Sequence, residues 1–473
     1  VHFQALPEGR REEKYAALSA LTLNDAGWVE GAVDWRGAFL PEATGQWAAF
    51  PPLKNIYLTS SSGVLSGRTW VVAPDRQTLI ERWRLLIAET DSERKEVLFH
   101  PTLRHGVLAD RHTKKVAADG LAGHELRKVT VSQDREEAIA PARYSYRTLD
   151  RQWLIPDNRL LLSARPALWG IYSDIQVFIT ALDASAPTSG PAISFAGYMP
   201  DYDHYRGSFN GRVFPLWADA AATQPNLSPT VLAHLSEAYG HAVSAPDLMT
   251  YIAALLAHPG FTAHFAKDLK QPGLRVPMTA DADLFLRAVE IGREVIWLHT
   301  YGERFDDGAA GRPRQAPRMA AGTGPTIPVG GAIPGAPEPL PEAMDYDPAQ
   351  RRLTVGKGHI DNVMPEIWAY EVSGKQVVKQ WFSYRRRDRT RPVIGDRRPP
   401  SPLDAIQPDH WLGEYTTDLM NLLHVLGRLV LLEPRQQALL DQILEQPLLS
   451  LADIGLAPDN GGESDEDGSD GPA

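Results

Sequence analysis

The stretch Asn226-Leu227-Ser228-Pro229-Thr230-Val231-Leu232-Ala233-His234-Leu235-Ser236-Glu237-Ala238-Tyr239-Gly240 decides how the chain is read, because the hydrophobic period changes there. Ser228 suits a helix N-cap, Pro229 fits the first helical position, where no N–H is needed, and Gly240 ends the run. Downstream, Ser244-x-x-Asp247 opens a second helix that buries Leu248, Tyr251, Ile252 and Leu255 and ends near His258-Pro259. A third runs from 279 to about 301, with Leu284, Ala288, Ile291, Val295 and Leu298 in one stripe. Upstream the pattern differs: residues 143–220 are strand-like, with apolar centres at 175–179 and 193–196. The expectation is an α+β fold with a mixed-strand lobe, a helical lobe and a C-terminal helical pair.

Further towards the N-terminus, 56–58 and 69–72 are β-rich runs, with turn chemistry between them in Ser60-Ser61-Ser62-Gly63 and Ser66-Gly67. Pro74-Asp75 starts a helix on which Leu79, Trp83 and Leu86 recur. Residues 10–18 are charged and helix-capable, and Val1-His2-Phe3 alternates like a strand end, so the chain is expected to continue something longer. Towards the C-terminus, 306–341 turns to Gly, Pro and Ala, which predicts a flexible insertion. Order resumes at 353–355. Residues 416–432 carry an apolar stripe, and 434–444 read as a partner helix. The expected boundaries are 1–55, 56–226, 227–305, 306–350, 351–400, 401–457 and an acidic, disordered 458–473.

Composition narrows the class. Hydrophobic residues make up 43% and charged residues 23% of the 473, as in an ordinary globular protein. No stretch of the sequence is long and apolar enough for a spanning helix, so no membrane partner is expected. With no cysteine, disulfides and thiolate metal sites are excluded, and a reducing cytoplasm suits the chain. The formal net charge is −11, but Asp459, Glu463, Asp465, Glu466, Asp467 and Asp470 lie in the tail; setting them aside leaves about −5. A local basic face, not the total, decides whether such a chain meets phosphates.

Several chemistries have no motif here. There is no phosphate loop (Gly356-Lys357-Gly358 lacks the spacing), no nucleophile elbow and no His-Glu-x-x-His. No glycine-rich turn is placed to seat S-adenosylmethionine. Pro51-Pro52 is followed by Leu53, so the Asn/Asp-Pro-Pro-aromatic motif of amino methyltransferases is missing. Asp201, Asp203 and His204 would chelate a divalent ion in a nuclease, or simply form a hydrophilic loop.

Three segments suit nucleic acid. In Trp381-Phe382-Ser383-Tyr384-Arg385-Arg386-Arg387-Asp388-Arg389-Thr390-Arg391, five arginines follow an aromatic cluster, and Arg397 and Arg398 extend the run. Guanidinium forks grip phosphates and guanine edges; the alternatives are a solvated loop or a docking site for an acidic protein partner. Trp381 and Phe382 are expected in the core, since Val377, Val378 and Trp381 share a helical face. In Tyr146-Arg147-Thr148-Leu149-Asp150-Arg151, an Arg–Asp–Arg arrangement beside aromatics either holds a phosphate or orders an internal ion-pair network. In Gly63-Val64-Leu65-Ser66-Gly67-Arg68, the glycines permit close backbone approach to a ligand or form a plain turn.

In order along the chain, these segments resemble the C-terminal target-recognition region of Type ISP restriction-modification enzymes and related adenine-specific DNA methyltransferases. Gly63-Val64 with Ser66-Gly67-Arg68 is similar to the family's Gly-Val-x-Thr-x-Arg-Asp, with Thr69 in the acid's place. Tyr146-Arg147-Thr148-Leu149-Asp150-Arg151, followed by Arg165-Pro166, resembles Tyr-Arg-Pro-Phe-Asp-x-Arg. Phe214-Pro215-Leu216-Trp217, the 251–277 segment and Ile367-Trp368 through Tyr384-Arg385 complete a match from 10 to about 445. The resemblance implies duplex DNA as partner, read for an adenine methylase in phage defence. It also implies a preceding methyltransferase domain or subunit that holds S-adenosylmethionine, reached through 1–55 as a coupling segment, and a helicase or nuclease module. This chain itself would carry no cofactor and no catalytic residue. The DNA-contacting set it points to is Arg68, Tyr146, Arg147, Arg151, Arg165, Tyr384, Arg385, Arg386, Arg387, Arg389 and Arg391.

Overall fold

A computed structural model describes residues 2–4, 6, 10–30, 45–104, 107, 108, 110–113, 116, 119–182, 187–205, 211–270, 273–388 and 398–457. The fold is α+β, as the change of period predicts. One four-stranded sheet runs in the order Ile193–Ala196, Phe178–Leu182, Gly211–Pro215, Ser61–Ser62, all antiparallel. A second runs Met199–Pro200, Ala142–Arg147, Asp150–Leu154, Val72–Ala73, with only the first pair parallel.

The three longer strands of the first sheet are buried on both faces, and neighbouring side chains at their centres serve different cores. Ile179, Phe195 and Phe214 enter the larger core with the helices, while Phe178, Ala196 and Val213 enter the smaller one with Trp70, Trp83 and Phe99. Its three longer strands therefore do not alternate buried with exposed positions: Phe178–Leu182 and Ile193–Ala196 are buried throughout, and Gly211–Pro215 at all but Arg212. The larger core joins Ile179 and Phe214 to Leu235, Ile252 and Val295 without a gap, so the period change at 227 is a boundary in backbone only.

The helices begin where their caps dictate. The Ser228 hydroxyl accepts from Val231 N at 3.4 Å, and Gly240 takes φ 69° to end Pro229–Tyr239. Ser244 and Asp247 cap each other reciprocally at the start of Ala245–Leu256. Asp75 accepts from Thr78 N at 2.8 Å and opens Arg76–Ala88, an N-cap contribution of about 1 kcal/mol. Helices Ala245–Leu256 and Ala282–His299 cross so closely that a Cβ on Gly292 would lie 1.7 Å from the Thr250 carbonyl oxygen.

Three local expectations are corrected. Residues 56–58 are not a strand: Leu53–Ile56 is a short helix, and Tyr57 makes a single bridge to Leu227. The expected C-terminal pair is one helix, Gly413–Glu445, passing through Pro434. An interior proline costs about 3 kcal/mol. Beyond it Leu439, Leu440 and Ile443 continue the buried stripe of Leu422, Leu426 and Leu429, and full burial contributes roughly 1.5–3 kcal/mol for each. Gln436 fixes the same face, its Nε2 donating to the Ala254 carbonyl at 3.0 Å. Packing wins.

The Gly/Pro-rich stretch is also no loose insertion. It lies against the body as a strap: Thr326 bridges Asp361, Pro339 bridges His410, and His359 N donates to Gly331 O at 2.8 Å. Met319 N donates to His424 Nδ1 at 3.2 Å, and the absence of a Cβ at Gly427 leaves room for the Met319 sulfur. Its anchors are mostly backbone groups, which composition does not reveal. The acidic tail 458–473 lies outside the described residues.

Candidate nucleic-acid interface

Strands Ala142–Arg147 and Asp150–Leu154 form a hairpin closed by the two-residue turn Thr148-Leu149, with Arg147 opposite Asp150. Leu149 adopts φ 58°, a left-handed conformation that a branched side chain rarely takes. The turn persists because its surroundings hold it. Thr148 N donates to His204 O at 3.1 Å, and the Tyr301 hydroxyl donates to Leu149 O at 2.6 Å. An irregularity in register between Ser145 and Arg147 leaves Tyr146 without a partner across the ladder.

Each charged residue of this tip has an internal partner. Arg147 reaches Asp201 (Nη1 to Oδ1, 2.7 Å) and stacks on the Tyr146 ring at 3.9 Å, while Tyr146 meets Tyr384 edge-on at 5.1 Å. Arg151 reaches Glu303 at 2.8 Å and covers the Tyr301 ring at 3.8 Å. Asp150 takes Arg385 Nη2 on one oxygen and Gln152 Nε2 on the other, both at 2.7 Å. Of the two readings open for the Arg–Asp–Arg segment, the ion-pair network is the one the fold builds. A small cavity of mixed character, lined by Arg147, Asp150, Arg151 and Glu303 and by Leu149 and Phe195, lies among these groups, with room for about one water.

The other arginines divide sharply. Arg68 is 1% exposed: Nε donates to Phe99 O at 3.0 Å, Nη1 to Leu160 O at 2.6 Å, and Nη2 pairs with Asp110. Arg385 is 0% exposed, lies on the Trp381 ring at 3.9 Å and donates Nη1 to Trp381 O at 2.9 Å. Neither guanidinium can meet a phosphate in this conformation, so both are corrected to internal struts; Arg147 and Arg151 are mostly buried in the pairs above. Arg165 is half-buried at the start of Pro166–Gly170, at φ 56°, and donates to the Ser62 hydroxyl. Tyr146 and Tyr384 are half-buried. Arg386 is exposed, and Arg387 is exposed with a partner in Glu342 at 3.0 Å. Arg398 donates to Pro101 O at 2.6 Å, whereas Arg389, Arg391 and Arg397 lie outside the described residues. Trp381 and Phe382 are in the core, as their spacing on Val377–Ser383 predicts.

The glycines before Arg68 approach the chain itself. A Cβ on Gly63 would lie 2.6 Å from the Asp201 backbone, and Val64 bridges Asp201 in parallel. Asp201 is 4% exposed and accepts from Tyr144 Oη, Arg147 Nη1 and Asp203 N at 2.7, 2.7 and 2.8 Å. Burial raises its carboxyl to about 6, against which Arg147 pulls. Burial also drives His204 down to about 3, so its ring is neutral, between Ser194 Oγ and Ser145 O. Asp201 is thus a counter-ion. Among the described residues no group of three His, Asp or Glu side chains is placed to hold a metal ion. Sequence reasoning missed Glu303 and Tyr301 because no local pattern marks them.

Two sheets, a helical group that shares the larger core and a hairpin locked by arginines make up the architecture of the chain. Residues 55–422 match the family model described as Type ISP C-terminal specificity domain, and the chain belongs to that family. Among solved structures it is similar to DrdV in its DNA complex (TM-score 0.58, 15% identity, covering 94% of this chain and 43% of that one). LlaBIII, an ATP-dependent Type ISP restriction-modification enzyme bound to DNA, matches at TM-score 0.55 and 13% identity over 93% of this chain and 27% of its own. A nuclease-deletion mutant of the Type ISP enzyme LlaGI, with a DNA substrate mimic, matches at 0.52 and 15% over 89% and 31%. The chain thus spans less than half of each of these structures. No curated protein matches the chain significantly. Among the described residues no helix is long and apolar enough to cross a membrane.

Proposed function

We propose that this chain reads the target sequence in duplex DNA for an adenine-specific methyltransferase of a restriction-modification system acting in the cytoplasm. Family membership over 55–422 is the observation that carries this reading. The fold neighbours described as DNA complexes support it. Arg386 and Arg387 enter solvent directly after the buried Arg385, and would hold phosphates and fix the protein on the duplex. Arg165, Tyr146 and Tyr384 are partly exposed, as are the edges of the paired Arg147 and Arg151. Methyl transfer falls to a separate domain or subunit that binds S-adenosylmethionine and receives the flipped base, with a helicase or nuclease module as a further partner.

The test is duplex binding across a salt series, followed by fluorescence anisotropy. Each phosphate contact adds about 0.9 to the slope of log affinity against log salt. Arg386→Ala with Arg387→Ala should therefore lower the slope by about 1.8. Unchanged slope and affinity in that variant would remove the run from DNA binding, and capture of a protein without any duplex binding would favour the docking alternative.

A further inference from the structure

The hairpin tip is gripped by three segments remote in sequence: Asp201 and His204 O on one side, Glu303 and Tyr301 on another, and Arg385 with Tyr384 on the third. The last grip bears directly on the exposed arginines. Helix Val377–Ser383 ends at Tyr384, and Arg385 N and Arg386 N both return to Phe382 O, at 2.8 and 3.0 Å. The Arg385 side chain then runs inward to Asp150, while the next backbone donor, Arg387 N, is held by Pro341 O at 2.9 Å. Arg386 is thus bracketed by two fixed points, one of which is an ion pair 0% and 2% exposed at its side chains. Asp150 is itself fixed by its register opposite Arg147 and by Gln152.

We propose that Asp150 is a positioning residue for the basic run: through Arg385 it sets where the helix ends, and so where Arg386 and Arg387 leave the surface. The proposal rests on the reading that those two arginines meet phosphates. It gives the hairpin segment a part in DNA binding without any contact with DNA. A buried pair 235 residues apart in sequence fixes the point at which Arg386 and Arg387 turn outward.

The experiment measures the salt slope with a mixed-sequence duplex of about 30 base pairs, below the thermal midpoint of each variant. Asp150→Asn weakens the pair but leaves a buried guanidinium without its counter-charge. The paired variant Asp150→Leu with Arg385→Met removes both charges, and apolar replacement of a buried pair commonly preserves folding. Both are expected to lower the slope towards that of Arg386→Ala with Arg387→Ala, by up to about 1.8. Asp134→Asn is the control: it disturbs the buried Arg127–Asp134–Arg159 network in the smaller-core region, and should lower the thermal midpoint while keeping the native slope. A folded paired variant with the native slope would overturn the proposal. So would a paired variant that cannot fold, because the pair would then be holding the core and not the loop. If Arg386→Ala with Arg387→Ala itself keeps the native slope, the phosphate reading is what has failed; if it loses slope and the folded paired variant does not, only the positioning role has failed.

Discussion

Arg385 and Arg386 stand side by side in one basic run and occupy opposite environments. Arg385 is sealed between Trp381 and Asp150, and Arg386 faces water. The hairpin repeats the contrast at a distance, since Arg147 and Arg151 spend their charge on Asp201 and Glu303. The difference teaches that a cluster of arginines is not yet a phosphate-binding face. The arginine that follows an aromatic helix face is drawn under it, and those beyond the helix end are free to point outward.

The sharpest way to break this comparison is to truncate the buried member. Arg385→Ala leaves Asp150 charged and buried, and should cost about 3–5 kcal/mol in denaturant unfolding, whereas Arg386→Ala should stay within about 0.5 kcal/mol. Equal effects would show that the two environments are not distinct. Charge reversal tests the exposed member: Arg386→Glu should weaken duplex binding on the order of tenfold at moderate salt and leave the unfolding midpoint unchanged.

Acid provides a third test. Burial holds His204 at about 3 and His258, His299 and His424 at about 4, against an unfolded value near 6.5. The unfolded chain therefore takes up protons that the folded chain refuses, and stability present at neutral pH is lost progressively as pH falls from about 6.5 towards 4. Asp201 acts with the opposite sign: raised to about 6, it keeps a proton when folded that the unfolded chain releases above about 4, so it offsets part of the loss. The unfolding midpoint should drop between about pH 7 and pH 5, by the same amount in Arg386→Ala as in the native chain. A different pH profile in that variant would mean that Arg386 belongs to the buried network. The smallest effect is expected from Glu342→Gln, which frees Arg387 from an exposed pair worth at most about 1 kcal/mol and should tighten duplex binding no more than about fivefold.

The parts of this fold that could be read in advance are those whose cause is local. Ser228-Pro229, Ser244-x-x-Asp247 and Asp75 announce helix starts because a cap and its N–H lie within three residues. The arginine run and the Tyr146–Arg151 segment could be seen, but their environments could not. Asp201, Glu303 and Arg385 meet the hairpin across separations of 54, 152 and 235 residues. Pro434 and the Gly/Pro strap misled for a related reason: both are governed by surfaces that other parts of the chain supply. The strap's composition promised mobility, and the partners of its backbone bonds, Asp361, His359 and Asp409, came from elsewhere.

Strands Phe178–Leu182 and Ile193–Ala196 have no face turned to water, and Gly211–Pro215 is nearly as enclosed. A change of side-chain volume there must be answered on one side or the other by residues from distant parts of the chain, and any slip in register would exchange the occupants of both interiors at once. The scaffold is therefore conservative at its centre. Room for novelty lies at positions such as Arg386 and Arg387, where an altered side chain meets water and not a packed neighbour.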